Sequence, residues 1–235
     1  MISVLRDGSL VLTYGVIDPT QPQWQIVARR SEDAGATWSP EVTVRTNAPE
    51  IPEPSTCGIR FDRRTFPSQH APVHGGREVS FVSVDASATL AGKGRIVLSS
   101  STDGGQTWTN RTVVESADVT TMPTVASDRR GRLGVLWNAV DVAGAVCATR
   151  SLPTRTRFTS SDDGGKTWAR AVDIGEPWDQ AGAYVGPDYD FPRWWVGEYQ
   201  GLATSNKGFV AAAVQARPGL IGETGVFVAT IRAGR

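Results

Sequence analysis

The sequence predicts an all-β fold, a β-propeller of four-stranded sheets repeated around one axis. Three observations predict it. An eight-residue box occurs three times, as SEDAGATW (31–38), STDGGQTW (101–108) and SDDGGKTW (161–168). Each copy reads Ser-x-Asp-x-Gly-x-Thr-Trp, and an internal repeat decides architecture before any single residue does. Between the boxes a second unit recurs, a strand-like run, a polar turn with glycine and another run: ISVLRDGSLVLTY (2–14), TVASDRRGRLGVLW (124–137) and GLATSNKGFVAAA (201–213). Composition agrees. With 25 Gly, 14 Pro and 8 Trp in 235 residues the chain is rich in turns and large aromatics, and its 40% of hydrophobic residues is enough to fill a core.

β-prone runs with apolar–polar alternation bracket every box. WQIVARR (24–30), GRIVLSS (94–100) and TRTRFTS (154–160) precede the boxes, and PEVTVR (40–45), NRTVVES (110–116) and ARAVDI (169–174) follow them. Each box is therefore a corner joining two antiparallel strands. The Ser hydroxyl and Asp carboxylate accept hydrogen bonds from turn N–H groups. The glycine takes a positive φ at little cost, and the tryptophan returns to the apolar layer. Ser31, Asp33, Gly35 and Trp38 thus read as structural residues. So do Ser101, Asp103, Gly105 and Trp108, and likewise Ser161, Asp163, Gly165 and Trp168.

The Gly-Gly-Lys-Thr at 164–167 is no phosphate loop, because Ser160 stands where such a loop needs its first glycine. It is no calcium loop either, since Trp168 and Ala169 follow where oxygen ligands are needed. Two strands around the glycine turn and two around the box make one four-stranded blade. The chain reads as a single domain, 1–235, of about four blades: 1–47, 48–117, 118–175 and 176–235. The last has three candidate strands, EYQGLAT, GFVAAAVQ and GVFVATIR, with no box or fourth strand after them.

The boxes resemble the Asp-box (BNR) repeats of the sialidase, or neuraminidase, superfamily. WVGEYQGLATSNKGFVAAAVQAR (195–217) is similar to the Gly-acid-Tyr-x-Gly-Leu-Ala strand of secreted bacterial members. The resemblance implies an incomplete six-bladed sialidase-like propeller and a secreted or cell-surface bacterial protein. We expect the chain to be the C-terminal part of a longer protein, which would also account for the lack of a visible signal peptide. A four-bladed ring and a ring completed by a second chain are the alternatives.

Acids and bases balance at 24 each, so charge gives no case for nucleic acid or an anionic membrane. No run of 18 apolar residues offers a spanning helix, so no membrane insertion is expected. Cys57 and Cys147 allow at most one internal disulfide. His70 and His74 are four apart, but a proline between them argues against the helix that would align them on a metal. No metal and no cofactor is expected.

The chemistry-bearing stretch is PWDQAGAYVGPDYDFPRWWVGEYQG (177–201), a long insertion ahead of an inner strand, where propeller ligands bind. Aromatic faces stack on sugars and carboxylates grip hydroxyls. In the sialidase resemblance a tyrosine is the nucleophile, a glutamate draws off its proton and an aspartic acid is acid/base. Arginines hold the substrate carboxylate by paired hydrogen bonds. The candidates are Glu198, Tyr184, Tyr189, Asp188 and Asp190 for catalysis, and Arg193, Trp194, Trp195, Arg60 and Arg217 for the substrate. Glu198 and Tyr199 are neighbours on a predicted strand and point to opposite faces, so Glu198 pairs with Tyr184 or Tyr189 instead.

A second insertion, 47–76, adds Glu50, Glu53, Asp62, Arg63 and Arg64 around Arg60. The family's first substrate arginine lies in an Arg-Ile-Pro motif, which this sequence lacks. Two functions follow: a sialidase-type exo-glycosidase, and a non-catalytic propeller that binds a glycan or protein.

Overall fold

A computed structural model of the chain describes residues 1–16, 25–46, 55–56, 59–60, 68–70, 76–85, 93–149, 151–185, 193–194, 200–217 and 224–232. For 55–56, 59–60, 181, 184–185 and 193–194 it describes the backbone alone.

The fold is an incomplete β-propeller. The first sheet runs β1 (Ile2–Val4), β2 (Leu10–Val16), β3 (Gln25–Ser31), β4 (Val42–Thr46). After two short strands, β5 (Ser55–Thr56) and β6 (Ile59–Arg60), comes the second sheet. It comprises β7 (Ser68–His70), β8 (Val79–Val84), β9 (Gly94–Ser101) and β10 (Thr109–Ser116). The third holds β11 (Val119–Ser127), β12 (Leu133–Val140), β13 (Pro153–Ser161) and β14 (Val172–Asp173). β15 (Trp178–Asp179) pairs with β13 as well, followed by a 3₁₀ turn (Gln180–Gly182), β16 (Tyr184–Val185) and β17 (Arg193–Trp194). The last sheet has three strands, β18 (Gln200–Ser205), β19 (Gly208–Ala216) and β20 (Thr224–Arg232).

Each propeller sheet is an antiparallel meander, and the core lies between neighbouring sheets. Val82, Ile96, Leu98 and Val113 of the second pack on Val125, Leu133, Val135 and Trp137 of the third. Ala126, Leu136 and Phe158 of the third pack on Phe209 and Ala211 of the fourth. Ile26, Ala28 and Val44 of the first surround Phe81 of the second. Innermost strands are stitched by side chains. Val125 N–H donates to Ser68 Oγ at 3.1 Å, and His70 Nε2 meets Ser127 Oγ at 2.8 Å, so β7 and β11 run parallel at the axis. The His70 ring is thus engaged with the next blade, and burial lowers its pKa. Gln69 reaches the other way, donating to Val11 O at 2.9 Å.

The three boxes share one geometry. Ser101 Oγ donates to Asp103 Oδ1 at 2.7 Å and accepts from Gly105 N–H at 2.8 Å. Asp103 also accepts from Thr107 N–H at 2.9 Å and from its hydroxyl at 2.5 Å. Ser31 with Asp33 and Thr37, and Ser161 with Asp163 and Thr167, repeat these bonds. The Thr37 hydroxyl and N–H and the Ser31 hydroxyl hold Asp33 down at about 2. Burial opposes the charge at Asp103, but the Thr107 and Ser101 bonds outweigh it and bring that group to about 2 as well. Asp163 is lowered in the same way, first by the Thr167 hydroxyl.

Two consecutive positions per box have positive φ. Gly164 and Gly165 stand at 72° and 83°, and a Cβ on Gly165 would meet Leu98 at 2.4 Å. The first box puts Ala34 there, at φ 56°, a left-handed conformation that costs an L-residue about 1–2 kcal/mol. The tryptophans are only half-buried, with the Trp38 and Trp108 indole N–H groups donating to Gly35 O and Gly105 O at 3.1 and 3.0 Å.

Candidate functional site

In a meander whose innermost strands run parallel, the first-to-second and third-to-fourth connections share one end of the propeller. The second-to-third connections and the crossings between blades share the other. All three boxes lie at the first end. Arg30 there bridges blades, with Nη1 donating to Gly104 O at 3.3 Å and Nη2 to Asp7 at 3.2 Å. The two insertions leave from Thr46 and Asp173, at the opposite end.

At that end the two insertions meet. β5, β6, β16 and β17 form a four-stranded sheet of their own, in the order β16-β17-β6-β5. β17 pairs parallel with β6, Trp194 opposite Ile59. β16 pairs antiparallel with β17, Tyr184 opposite Trp194 and Val185 opposite Arg193. Ser55 lies opposite Arg60. The backbone thus brings Tyr184, Arg193, Trp194 and Arg60 onto one small sheet. Asp188, Tyr189, Asp190, Trp195 and Glu198 lie outside the described residues, as do Glu50, Glu53, Asp62, Arg63, Arg64 and His74. Arg217 follows β19 at the same end, with its Nε 3.0 Å from where a Cβ on Gly225 would stand. That sets its guanidinium against the start of β20.

Both roots of the 177–201 insertion are fixed to the third blade by residues the sequence did not single out. Asp179 Oδ1 accepts from Leu152 N–H at 2.8 Å, and Asp179 Oδ2 accepts from the Ser151 hydroxyl. Gln180 Nε2 donates to Thr154 Oγ1 at 3.3 Å. Buried Trp178 points its indole N–H at Thr156 Oγ1, 3.4 Å away, which Gln215 Nε2 also reaches at 2.9 Å. At the far root, Gln200 Nε2 donates to Met122 O. Met122 has φ 50° where the β11–β12 register slips between Thr121 and Thr124. Strain of this kind persists only where neighbours over-determine it, and here Gln200 and the cluster of Trp178, Ala183 and Ala216 do so.

Cys147, in the 141–152 connection beside these roots, is disulfide-bonded, and the chain's one other cysteine, Cys57, belongs to the other insertion and lies outside the described residues. Nearby cations are engaged. Arg45 Nη2 lies 3.0 Å from Asp85 Oδ2 and Arg95 Nη1 lies 3.2 Å from it, tying the outermost strand of the first blade, β4, to the β8–β9 connection of the second. Among the described residues no group of three His, Cys, Asp or Glu is placed to hold a metal, and no helix is long and apolar enough to cross a membrane.

No protein family's profile matches the sequence, and no curated protein matches it. Solved structures do match. The Hadza microbial sialidase Hz136 aligns with 97% of this chain at 16% identity and a TM-score of 0.56, over 43% of its own length. The α-L-arabinofuranosidase Arb93a of Fusarium graminearum, solved with an iminosugar inhibitor, aligns with 97% at 16% identity and a TM-score of 0.51, over 59% of its length. A Dyadobacter fermentans protein of unknown function aligns with 97% at 14% identity and 0.51, over 63% of its length. The fold is thus that of the sialidase-like glycosidase propellers, and the chain spans less than two thirds of the length of each of these three structures.

Proposed function

We propose that the end of the propeller carrying the two insertions binds glycans, and that the chain serves an exo-acting glycoside hydrolase of sialidase type. The supporting observation is the β6–β17 pairing, which joins the arginine-bearing 47–76 insertion to the tyrosine- and tryptophan-rich 177–201 insertion at one end, away from the boxes. In this reading Tyr184 or Tyr189 attacks the anomeric carbon while Glu198 takes its phenolic proton. Asp188 or Asp190 protonates the departing oxygen as the glycosidic bond breaks. A water then attacks the anomeric carbon of the glycosyl-tyrosine, delivering its proton to that aspartate, and the bond to the tyrosine oxygen breaks as that oxygen takes its proton back from Glu198. Arg60, Arg193 and Arg217 bind the substrate carboxylate, and Trp194 and Trp195 stack on sugar rings. A second reading, a non-catalytic propeller binding a glycan or protein at the same end, is favoured by the missing Arg-Ile-Pro.

The disulfide at Cys147 fits an oxidising, extracellular setting. The three box motifs, Ser31 to Trp38, Ser101 to Trp108 and Ser161 to Trp168, keep the corner-building role proposed from the sequence.

Fluorogenic sialosides and α-L-arabinofuranosides assayed with the chain and its Glu198→Gln variant test the proposal. Turnover at least ~10²-fold above the variant is expected. Turnover equal to the variant's, with binding retained on a glycan array, leaves the binding reading. Neither turnover nor binding contradicts both.

A further inference from the structure

At the insertion end the 141–152 connection of the third blade forms a stiff post. Val146 N–H donates to Ser151 O and Ser151 N–H donates to Val146 O, both at 3.0 Å, which pinches 146–151 into a small loop. Gly144 N–H donates to Asp141 Oδ1 at 2.8 Å, and Val142 and Ala145 pack on buried Val119, Val140 and Leu152. Asp179 fastens the root of the 177–201 insertion to this post through the Ser151 hydroxyl and Leu152 N–H. Cys147, the residue after Val146, is disulfide-bonded.

The 47–76 insertion carries the chain's one other cysteine. Its hairpin pairs Ser55 with Arg60 and Thr56 with Ile59, which leaves two residues, Cys57 and Gly58, between the strands. A two-residue connection is the commonest in hairpins, and glycine is favoured there. Cys57 thus falls at the tip of the hairpin. The hairpin's tie to the 177–201 insertion is slight. Trp194 opposite Ile59 is the single residue pair joining β17 to β6 among the described residues, and strands of two residues have little stability of their own.

We propose that Cys57 is the partner of Cys147, and that this bond is the clasp holding the two insertions on one sheet. A disulfide keeps its Cα atoms within about 7 Å, so it docks the hairpin tip on the same post that Asp179 grips. The Trp194–Ile59 pair then forms between two segments already held side by side, and the entropy of bringing them together is met by the covalent link. Through Ile59 and Arg60 on one segment and Arg193 and Trp194 on the other, the two cysteines are positioning residues for the ligand site. That consequence rests on the glycan-binding function proposed above; the clasp itself does not.

Peptide mapping without reduction, then amide exchange on the folded protein before and after treatment with a water-soluble phosphine, tests this. The phosphine attacks one sulfur, and water then releases two thiols and the phosphine oxide. A Cys57–Cys147 peptide pair is expected. Reduction should speed exchange at 55–60, 184–185 and 193–194 at least tenfold and leave the boxes at 101–108 and 161–168 unchanged. The double variant Cys57→Ser, Cys147→Ser should show the same pattern. A bond that acts only on the unfolded chain would lower the melting temperature and leave native exchange in the insertions as it was; that result overturns the clasp. Exchange that quickens as much in the boxes overturns it as well, and Cys147 bonded to a second copy of the chain overturns the pairing. 2,3-Dehydro sialic acid titrated against both forms reads the site. Binding about tenfold weaker to the reduced form is expected, and equal affinity overturns the positioning role. Binding to neither form counts against the glycan function, while the exchange result still decides the clasp.

Discussion

Each box concentrates its bonding in one carboxylate. Asp33, Asp103 and Asp163 all accept from the Thr side chain and N–H four residues on and from the Ser two residues back, and all are held below their ordinary values. Asp7, which binds Ser9 and Arg30, is lowered too. A carboxyl whose folded pKa lies below its unfolded value of about 3.9 contributes stability that is fully present above that value and is lost as pH falls through the folded one. The melting temperature should therefore fall between about pH 4 and 2 through these carboxylates, after an earlier loss below about pH 6.5 through half-buried His70, whose folded pKa is lowered. Asp103→Asn removes one box from the titration and should make that fall shallower. An unchanged slope between about pH 4 and 2 in the variant contradicts this assignment. The box was legible because its five fixed positions recur with a mechanism at each. Ala34 was not, since nothing in its side chain announces a left-handed backbone where the other boxes have glycine.

Strands flanking the boxes could be placed from sequence because each covers an alternating run. The ARAVDI run proved the exception, shortened to Val172–Asp173, and the outer edge of β13 is completed by β15 instead. The elements that matter for the site were out of reach. β5, β6, β16 and β17 have two residues each, too few for any period, and their pairing joins residue 59 to residue 194. The sequence marked both insertions as rich in candidate side chains but had no means of showing that they share a sheet. Asp179 was likewise invisible as an anchor, because its partners, Leu152 N–H and the Ser151 hydroxyl, belong to another loop. Asp179→Ala should leave the propeller core intact, lower the melting temperature by the equivalent of about 1–3 kcal/mol, and speed amide exchange at 180–185 and 193–194 at least tenfold. Exchange unchanged there would mean the insertion is held by other contacts.

At the scale of the molecule, the structure sets the box corners at one end and the two joined insertions at the other. Corners, ion pairs between corners and the strained box backbone occupy one end. Variable connections, the disulfide at Cys147 and every candidate glycan contact whose backbone is described occupy the other. That division was legible in outline, since a repeated meander dictates which connections share an end. What the sequence left open was how the two insertions join. The central claim is that the joined insertions form the ligand site. Amide hydrogen exchange with and without millimolar 2,3-dehydro sialic acid tests it most directly. The account predicts slowed exchange confined to residues 55–60, 184–199 and the neighbourhood of Arg217, with the boxes at 31–38, 101–108 and 161–168 unchanged. Slowing at the boxes with none in the insertions would contradict it.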